Sequence, residues 1–328
     1  MGGEHSCVSA KVVNKKNFNE DLYLDLNSDV RKEVLEGNLN SGYDHFIRWG
    51  EKEKRLQVNA KIYEMRKQKN LLIKKIIKRG YAKDFYRERH KFNFLKQNIK
   101  EEFNIVDTSN ISANDYDSDI VKLIESHNDG IILDCGAGYR NTYYNNVVNY
   151  EIVDYSTTDV LGVGEKLPFK DNVFDVVISV AVLEHVKDPF LCAEEIVRVL
   201  KPGGNLYCAV PQLQPFHGYP HHYFNMTKQG LKTLFDGRLE IERQEVRPST
   251  LPIWSLCWIV QSWVNGLSGE VKSGFLEMKM KEFMKEPQQL IGKSFVKSLS
   301  EKKNFELASA TILVAKKPID KNNTSFIV

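Results

Sequence analysis

From Gly130 to Pro211 the apolar residues gather in short unbroken runs instead of alternating with polar ones: GIILDCG, YEIVD, TDVLGV, FDVVISV and NLYCAVP. Apolar runs of this kind, bounded by turn residues, read as strands buried on both faces, the pattern of a parallel sheet. Two stretches of helical period accompany them, SDIVKLIESH before the first run and PFLCAEEIVRVL before the last. Strands and helices in that alternation, joined by right-handed crossovers, predict a doubly wound α/β sheet.

Upstream the period is helical. Across residues 17–55, Leu22, Leu26, Val30 and Val34 recur at four-residue spacing, Ser28 and Ser41 stand where N-caps are wanted, and Gly37 and Gly50 where helices stop. Tyr43, Phe46, Ile47 and Trp49 add bulk for a small core. Between 59 and 105, Leu72, Ile73, Ile76 and Ile77 form an apolar stripe among Lys74, Lys75, Lys78 and Arg79, which predicts one or two basic helices. The chain therefore divides into a helical module (1–58), a basic helical connector (59–105), an α/β domain (106–317) with a helical insertion at 250–300, and a tail (318–328). The run ELASATILVAKKP is expected to add a last antiparallel strand.

Composition is that of a globular protein: 328 residues, 42% hydrophobic and 27% charged. The net charge is only +3, but residues 61–100 hold 14 Lys/Arg against Glu64, Asp84 and Glu88, so the rest of the chain is acidic. The basic stretch reads as a solvated helix packed on the body, or as an arm facing lipid phosphate, nucleotide-sugar or nucleic acid. No nucleic-acid motif accompanies it, so no specific nucleic-acid partner is expected. Cys7, Cys135, Cys192, Cys208 and Cys257 form no CxxC pair, which predicts reduced thiols, a cytoplasmic location and no cysteine-bound zinc. The opening MGGEHSCVSA has no apolar segment of a secretory signal; Gly2 and Ser6 fit the short myristoylation pattern, but a disordered start is the expectation.

The candidate chemistry begins at ILDCGAGYRN. A strand ending near Asp134 and followed by Gly136 and Gly138 lets bare backbone approach a ligand, at the carboxyl edge where open parallel sheets bind. Asp154 is expected to end the next strand, where an acid accepts hydrogen bonds from a ribose diol. The dinucleotide fingerprint requires a third glycine opening a full helix, and GAGYRNT has neither.

The segment GEKLPFKDNVFDVVISVAVLEHVKDPFLCAEEIVRVLKPGGNLYCAVP resembles the class I S-adenosylmethionine-dependent methyltransferases (methyltransferase type 11-like) through LPF, DNxFDVV, VLEHV, DP and EIxRVLKPGG. The resemblance covers residues 118–235. It implies a Rossmann-like class I methyltransferase sheet, here with an N-terminal helical region and a helical cap insertion, and S-adenosyl-L-methionine as cofactor. The methionine tail would lie along Asp134, Gly136, Ala137 and Gly138, the ribose at Asp154 beside Tyr155, and the adenine along Gly164, Glu165 and Leu167, with Val180 and His185 shaping the pocket. Glu184 and His185 are expected at the end of the fourth strand. Two departures stand out: Val163 replaces an acid that often meets adenine, and the stretch from Asp154 to Gly162 is too short for the usual helix.

The loop PQLQPFHGYPHHYFNMT follows the last strand, close to where methyl transfer would occur. Transfer to a hydroxyl needs in-line approach and a proton acceptor, and histidine, with an ordinary pKa of about 6.5, suits neutral pH. His217 and His221 are the candidate bases, and Tyr219, His222, Tyr223 and Asn225 the candidate acceptor contacts. Pro220 breaks any helical pair of histidines, so no metal is expected. The tryptophan-rich stretch 251–267 is too polar and short to span a bilayer; it predicts a helix that covers the site, forms a homodimer contact or lies on a membrane, with Trp254 and Trp258 on one face. Residues 17–55 resemble a helical module of bacterial polysaccharide-assembly proteins through their Y-L start, S-D-V step and H-F-x-x-W-G close. That resemblance implies a glycan, nucleotide-sugar or lipid-linked sugar as acceptor, with oxygen methylated, in the cytoplasm or at the inner membrane face. A small metabolite, lipid or nucleic-acid acceptor, or a non-catalytic cofactor-binding scaffold, are the alternatives.

Overall fold

The computed structural model describes residues 5–81, 91–106, 108, 112–113, 115–218 and 221–310. Two compact units emerge: Met1–Gln212 with Gly218–Gln244, and Leu213–His217 with Glu245–Val328.

The strands are β1 (Ser6–Val8), β2 (Ala10–Val12), β3 (Leu56–Val58), β4 (Phe92–Asn93), β5 (Ile132–Cys135), β6 (Thr142–Tyr144), β7 (Val147–Glu151), β8 (Val160–Leu161), β9 (Phe174–Val180) and β10 (Leu200–Ala209). The first unit's helices are α1 (Glu20–Leu26), α2 (Ser28–Leu35), α3 (Gly42–His45), α4 (Lys61–Ile76), α5 (Gln97–Glu102), α6 (Ser118–Ser126), α7 (Pro189–Val199) and α8 (Lys228–Phe235). Among the described residues the main sheet has six strands in the order β10-β9-β5-β7-β8-β4, all parallel. Every residue of β5 and β7 is buried, as the unbroken apolar runs predict for strands covered on both faces. The chain passes from β5 to β7 and β8 on one side, then returns to β9 and β10 on the other, so the order reverses at β5. This is a doubly wound, Rossmann-like α/β fold.

Local signals place the helices. Asp117 caps α6 by accepting from the N–H groups of Asp119 and Ile120 at 3.0 and 2.9 Å, and Ile120 and Ile124 face the sheet. Asp188 caps α7, whose first residue is Pro189, where its missing N–H costs nothing.

Several boundaries differ from the sequence expectation. β7 ends at Glu151, so Asp154 lies three residues past the strand. β9 ends at Val180, leaving Glu184 and His185 in the following turn. Ser28 is the first residue of α2, while Asn27 occupies the cap position; Ser41 does cap α3, accepting from the Asp44 N–H at 3.0 Å. The basic segment holds α4 and α5 but also contributes β4, which pairs with β8 at the sheet edge.

The N-terminal module is stitched to the sheet domain. β1 pairs antiparallel with β6, and β2 with β3, while Tyr23, Val30 and Phe46 form a local core. α4 buries Ile73 and Ile76, and Ile77 just after it, in the main core with Phe92, Val160 and Phe169. Two of its cations also turn inward: Arg66 and Lys69, both fully buried, flank Asp159, with Lys69 Nζ 2.7 Å from Asp159 Oδ2 and Arg66 Nε 3.3 Å from Oδ1. Tyr143 Oη donates to the same carboxylate. The helix is thus neither a purely solvated face nor a free arm.

The second unit is helical in its described part: α9 (Pro252–Asn265), α10 (Gly269–Leu276), α11 (Ser294–Lys297) and α12 (Glu301–Leu307), around Leu267, Phe275, Phe295 and Leu299. The expected closing antiparallel strand falls mostly on residues 311–318, outside the described residues, and its first residues, Glu306 and Leu307, belong to α12.

Candidate active site

The carboxyl ends of β5, β7 and β9 meet at the order reversal, where open sheets hold ligands. The turn after β5 depends on glycine: Gly136 and Gly138 have φ of +82° and +63°. A Cβ on Gly136 would meet Val182 Cγ2 at 2.3 Å, and one on Gly138 the Ser112 carbonyl at 2.7 Å. The N–H groups of Gly136 and Ala137 donate to the Tyr150 carbonyl at 2.9 and 3.0 Å, fixing the turn to β7.

Asp134 is buried beneath this turn. Its Oδ2 accepts from Arg140 Nε at 2.9 Å and from Tyr116 Oη at 2.5 Å, while Oδ1 has no partner. Glu151, at the end of β7, is buried and accepts from the Gly138 N–H at 2.7 Å and the Ile152 N–H at 2.8 Å. Burial raises its carboxyl above the ordinary range, against those N–H groups. Glu151 was not among the sequence candidates: Ile152 and Val153 follow it, so no local signal marked it as the end of a strand. Asp154 is instead half exposed and paired with the buried Lys91, Nζ to Oδ1 2.5 Å. Tyr155 turns its hydroxyl to accept from the Ser112 N–H at 3.0 Å.

On the segment expected to flank adenine, side chains are committed to the fold. Glu165 accepts from the N–H groups of Lys187 and Asp188 at 2.9 and 3.3 Å, ahead of α7. Gly164 is held against Cys192, where a Cβ would lie 2.6 Å from Sγ, and Leu167 is fully buried. The carbonyl of Val163 accepts from Tyr150 Oη at 2.8 Å, so the backbone that must stand in for the missing acid is partly used. Val180 is the last residue of β9.

The turn after β9 carries a second unusual group. Glu184 is fully buried and neither of its carboxylate oxygens has a hydrogen-bond partner; burial pushes its pKa up from 4.5 to about 8. Its backbone carbonyl accepts from the N–H groups of Tyr223 and Phe224 at 2.7 and 3.2 Å. His185 Nδ1 lies 2.7 Å from the His221 carbonyl, and its ring packs near His222 and Gly218. The histidine-rich loop is thereby fastened over the end of β9. Within it, His221 Nε2 lies 2.9 Å from Asn104 Nδ2 and 3.0 Å from the Asn104 carbonyl, His222 Nε2 pairs with Asn225 Oδ1 at 3.1 Å, and Tyr223 Oη accepts from Asn104 Nδ2 at 3.2 Å. Tyr219 lies outside the described residues. His217 belongs to the second unit, where Nδ1 is 3.0 Å from the Pro215 carbonyl.

The donor set fits S-adenosylmethionine. Asp134 Oδ1 on β5 and the Glu184 carboxyl in the turn after β9 are buried without hydrogen-bond partners, and a ligand bringing N–H donors such as an ammonium can satisfy them.

Residues 135–208 match the family model described as a methyltransferase domain. The chain is similar to an uncharacterised methyltransferase of Schizosaccharomyces pombe, 44% identical over 63 residues (19% of this chain, 23% of that protein). It is also similar to an uncharacterised protein of Methanocaldococcus jannaschii, 36% identical over 104 residues (28% and 45%). A demethylmenaquinone methyltransferase of Bacillus licheniformis is 35% identical over 71 residues (21% and 31%). The chain spans less than half the length of each of these relatives. The order reversal, the glycine turn and the strand-end acid all lie on the residues, 135–208, that are similar to a methyltransferase domain.

Proposed function

We propose that the chain is an S-adenosylmethionine-dependent methyltransferase that methylates a hydroxyl of a sugar or glycan precursor, a nucleotide-sugar or lipid-linked sugar, in cell-surface polysaccharide synthesis. The observation that carries the cofactor half is the convergence of the Gly136–Gly138 turn, Glu151 and the unsatisfied acceptors at the order reversal. Glu151, rather than Asp154, holds the ribose hydroxyls, because it ends the strand and touches the glycine turn while Asp154 is bound to Lys91. When bound, the cofactor supplies an electrophilic methyl group. The loop fastened to Glu184 and His185 orients the acceptor through Tyr223, His222 and Asn225, with Tyr219 as a further contact. His221 or His217 would take the proton of the acceptor hydroxyl.

The glycan half rests on the resemblance of residues 17–55 to a helical module of bacterial polysaccharide-assembly proteins. An isoprenoid acceptor is the second reading, favoured by the demethylmenaquinone methyltransferase among the relatives. Calorimetry with S-adenosylmethionine tests the cofactor site: Glu151→Gln should weaken binding by about tenfold to a hundredfold, the loss of a charge-assisted hydrogen bond, while Asp154→Asn changes it little. The reverse pattern returns the ribose to Asp154. A turnover assay over nucleotide-sugars, lipid-linked sugars and quinols then separates the acceptors; binding without product from any of them supports a scaffold. His217→Ala and His221→Ala that both retain full turnover would remove the proposed base.

A further inference from the structure

The second unit carries a helix that ordinary globular packing does not explain. Nine of the fourteen residues of α9 are Ile, Leu, Val, Trp or Cys, yet none of the fourteen is buried. Among the described residues Trp254 Nε1 in its first turn donates to the Pro248 carbonyl at 2.8 Å, while its last turn is anchored by Trp263 and Val264 against the core of this unit and by Trp263 Nε1 donating to the Phe295 carbonyl at 2.9 Å. Ahead of it, Leu251, Ile253, Trp254, Leu256, Ile259 and Val260 are each 38–55% exposed. From Leu251 to Gly269 no residue is charged.

The directions of these side chains narrow what covers them. At about 100° per residue, Ile253, Trp254, Leu256, Trp258 and Ile259 point all round the helix, interrupted by Ser255 and Gln261. A second copy of the chain or a flat protein surface covers one side of a helix; acyl chains cover every side. Fourteen residues reach only about 21 Å, short of a hydrocarbon core of about 30 Å, so the helix enters a bilayer surface without crossing it. The rings of Trp254 and Trp258 lie 5.6 Å apart, and tryptophan favours the headgroup level. The chain that follows has the complementary charge: from Lys272 to Lys297 there are six lysines against Glu277, Glu282 and Glu286. Exposed Leu276, Met280, Phe283 and Met284 interleave there with Lys279, Lys281 and Lys285. Alternating cationic and apolar side chains suit an anionic lipid surface.

We propose that the second unit docks on an anionic membrane, sinking the first turns of α9 among the acyl chains and setting Lys279, Lys281 and Lys285 against headgroup phosphates. The inference is independent of the methyltransferase reading, which calorimetry tests without lipid. The full chain is sedimented with vesicles of phosphatidylcholine alone or mixed with phosphatidylglycerol, and its tryptophan emission is followed with brominated lipids. The protein should partition onto the anionic vesicles, with emission shifted to the blue and quenched. Ile253→Asp with Ile259→Asp, both at exposed positions, should lower partitioning by about a hundredfold or more. Lys279→Gln with Lys281→Gln and Lys285→Gln should remove roughly a hundredfold of the preference for anionic lipid. Absence of partitioning by the unsubstituted chain, or unchanged partitioning of the Asp variant, overturns the proposal. So does a lipid-free dimer that the Asp variant dissolves, which would make α9 a contact between copies.

Discussion

Glu184 permits a prediction with a definite sign and slope. Its carboxyl is fully buried, has no donor, and is pushed from the ordinary 4.5 to about 8 by burial. In the unfolded chain it titrates normally, so between pH 4.5 and about 8 the native state keeps a proton that the unfolded state has released. The native state then binds more protons, and stability falls as pH rises through that window. One proton gives a slope of about 1.4 kcal/mol per pH unit, and the full window about 5 kcal/mol. Glu184→Gln keeps the shape and removes the titration. Urea unfolding of the first unit, followed by circular dichroism at several pH values from 5 to 8, should show the variant gaining on the parent by about 1.4 kcal/mol per pH unit. Glu151 and Glu165 are also raised by burial, but both proteins contain them, so their contributions cancel. A difference that stays flat refutes the reasoning: the carboxylate would then be ionised in the native state, held by His185, whose Nε2 is 3.7 Å from Oε1.

Two further perturbations bear on other parts of the first unit. Asp159→Asn leaves Arg66 and Lys69 buried without their anion and should cost about 3–5 kcal/mol in urea unfolding, whereas Asp171→Asn, at an exposed pair with Arg198, should cost under about 1 kcal/mol. Gly136→Ala adds a Cβ 2.3 Å from Val182 Cγ2 at a φ of +82° and should weaken cofactor binding by about tenfold or more in calorimetry; combined with Val182→Ala it should recover part of the loss, because only the steric share is relieved.

The inner strands β5 and β9 were legible because they are buried on both faces and so announce themselves as unbroken apolar runs, whereas β4, two residues inside the basic segment, was not. Helices α6 and α7 were legible because Asp117 and Asp188 stand at their caps and their apolar residues keep the period. What failed was the placing of strand ends. In YEIVDYS, both acids follow apolar residues, and only the pairing of Tyr150 with Val160 and of Glu151 with Leu161 shows that the strand stops at Glu151. VAVLEHV misled in the same way: the apolar residues after Val180 continue as a buried turn, with Ala181 at a φ of +55° and Leu183 fully buried. The buried charges of α4 were illegible for a different reason. A lysine or arginine on a basic helix reads as solvated unless its partner is known, and Asp159 lies 90 residues from Lys69 in sequence.

That long-range pairing accounts for the missing helix. Parallel strands are normally joined by a crossover of a dozen or more residues containing a helix that covers the sheet. Here β7 and β8 are joined by only residues 152–159, and β5 and β7 by a segment whose only regular element is β6. Neither link has a helix to bury the sheet face. The cover comes instead from upstream: α4 and the residue after it lay Ile73, Ile76 and Ile77 on the main core, and β1 pairs with β6. The short link itself is gripped by cations of the basic segment. Lys91 holds Asp154 and the Tyr155 carbonyl, Arg66 the Ser156 carbonyl and Asp159, and Lys69 Asp159 and the Val147 carbonyl. Part of the positive charge concentrated at residues 61–100 is thus spent inside the protein, replacing a crossover helix with a tethered loop. The N-terminal region cannot then be a detachable appendage: without α4 the apolar face over β7 and β8, including Val148 and Val160, would be open to water, and Asp159 would be left buried without its two cations.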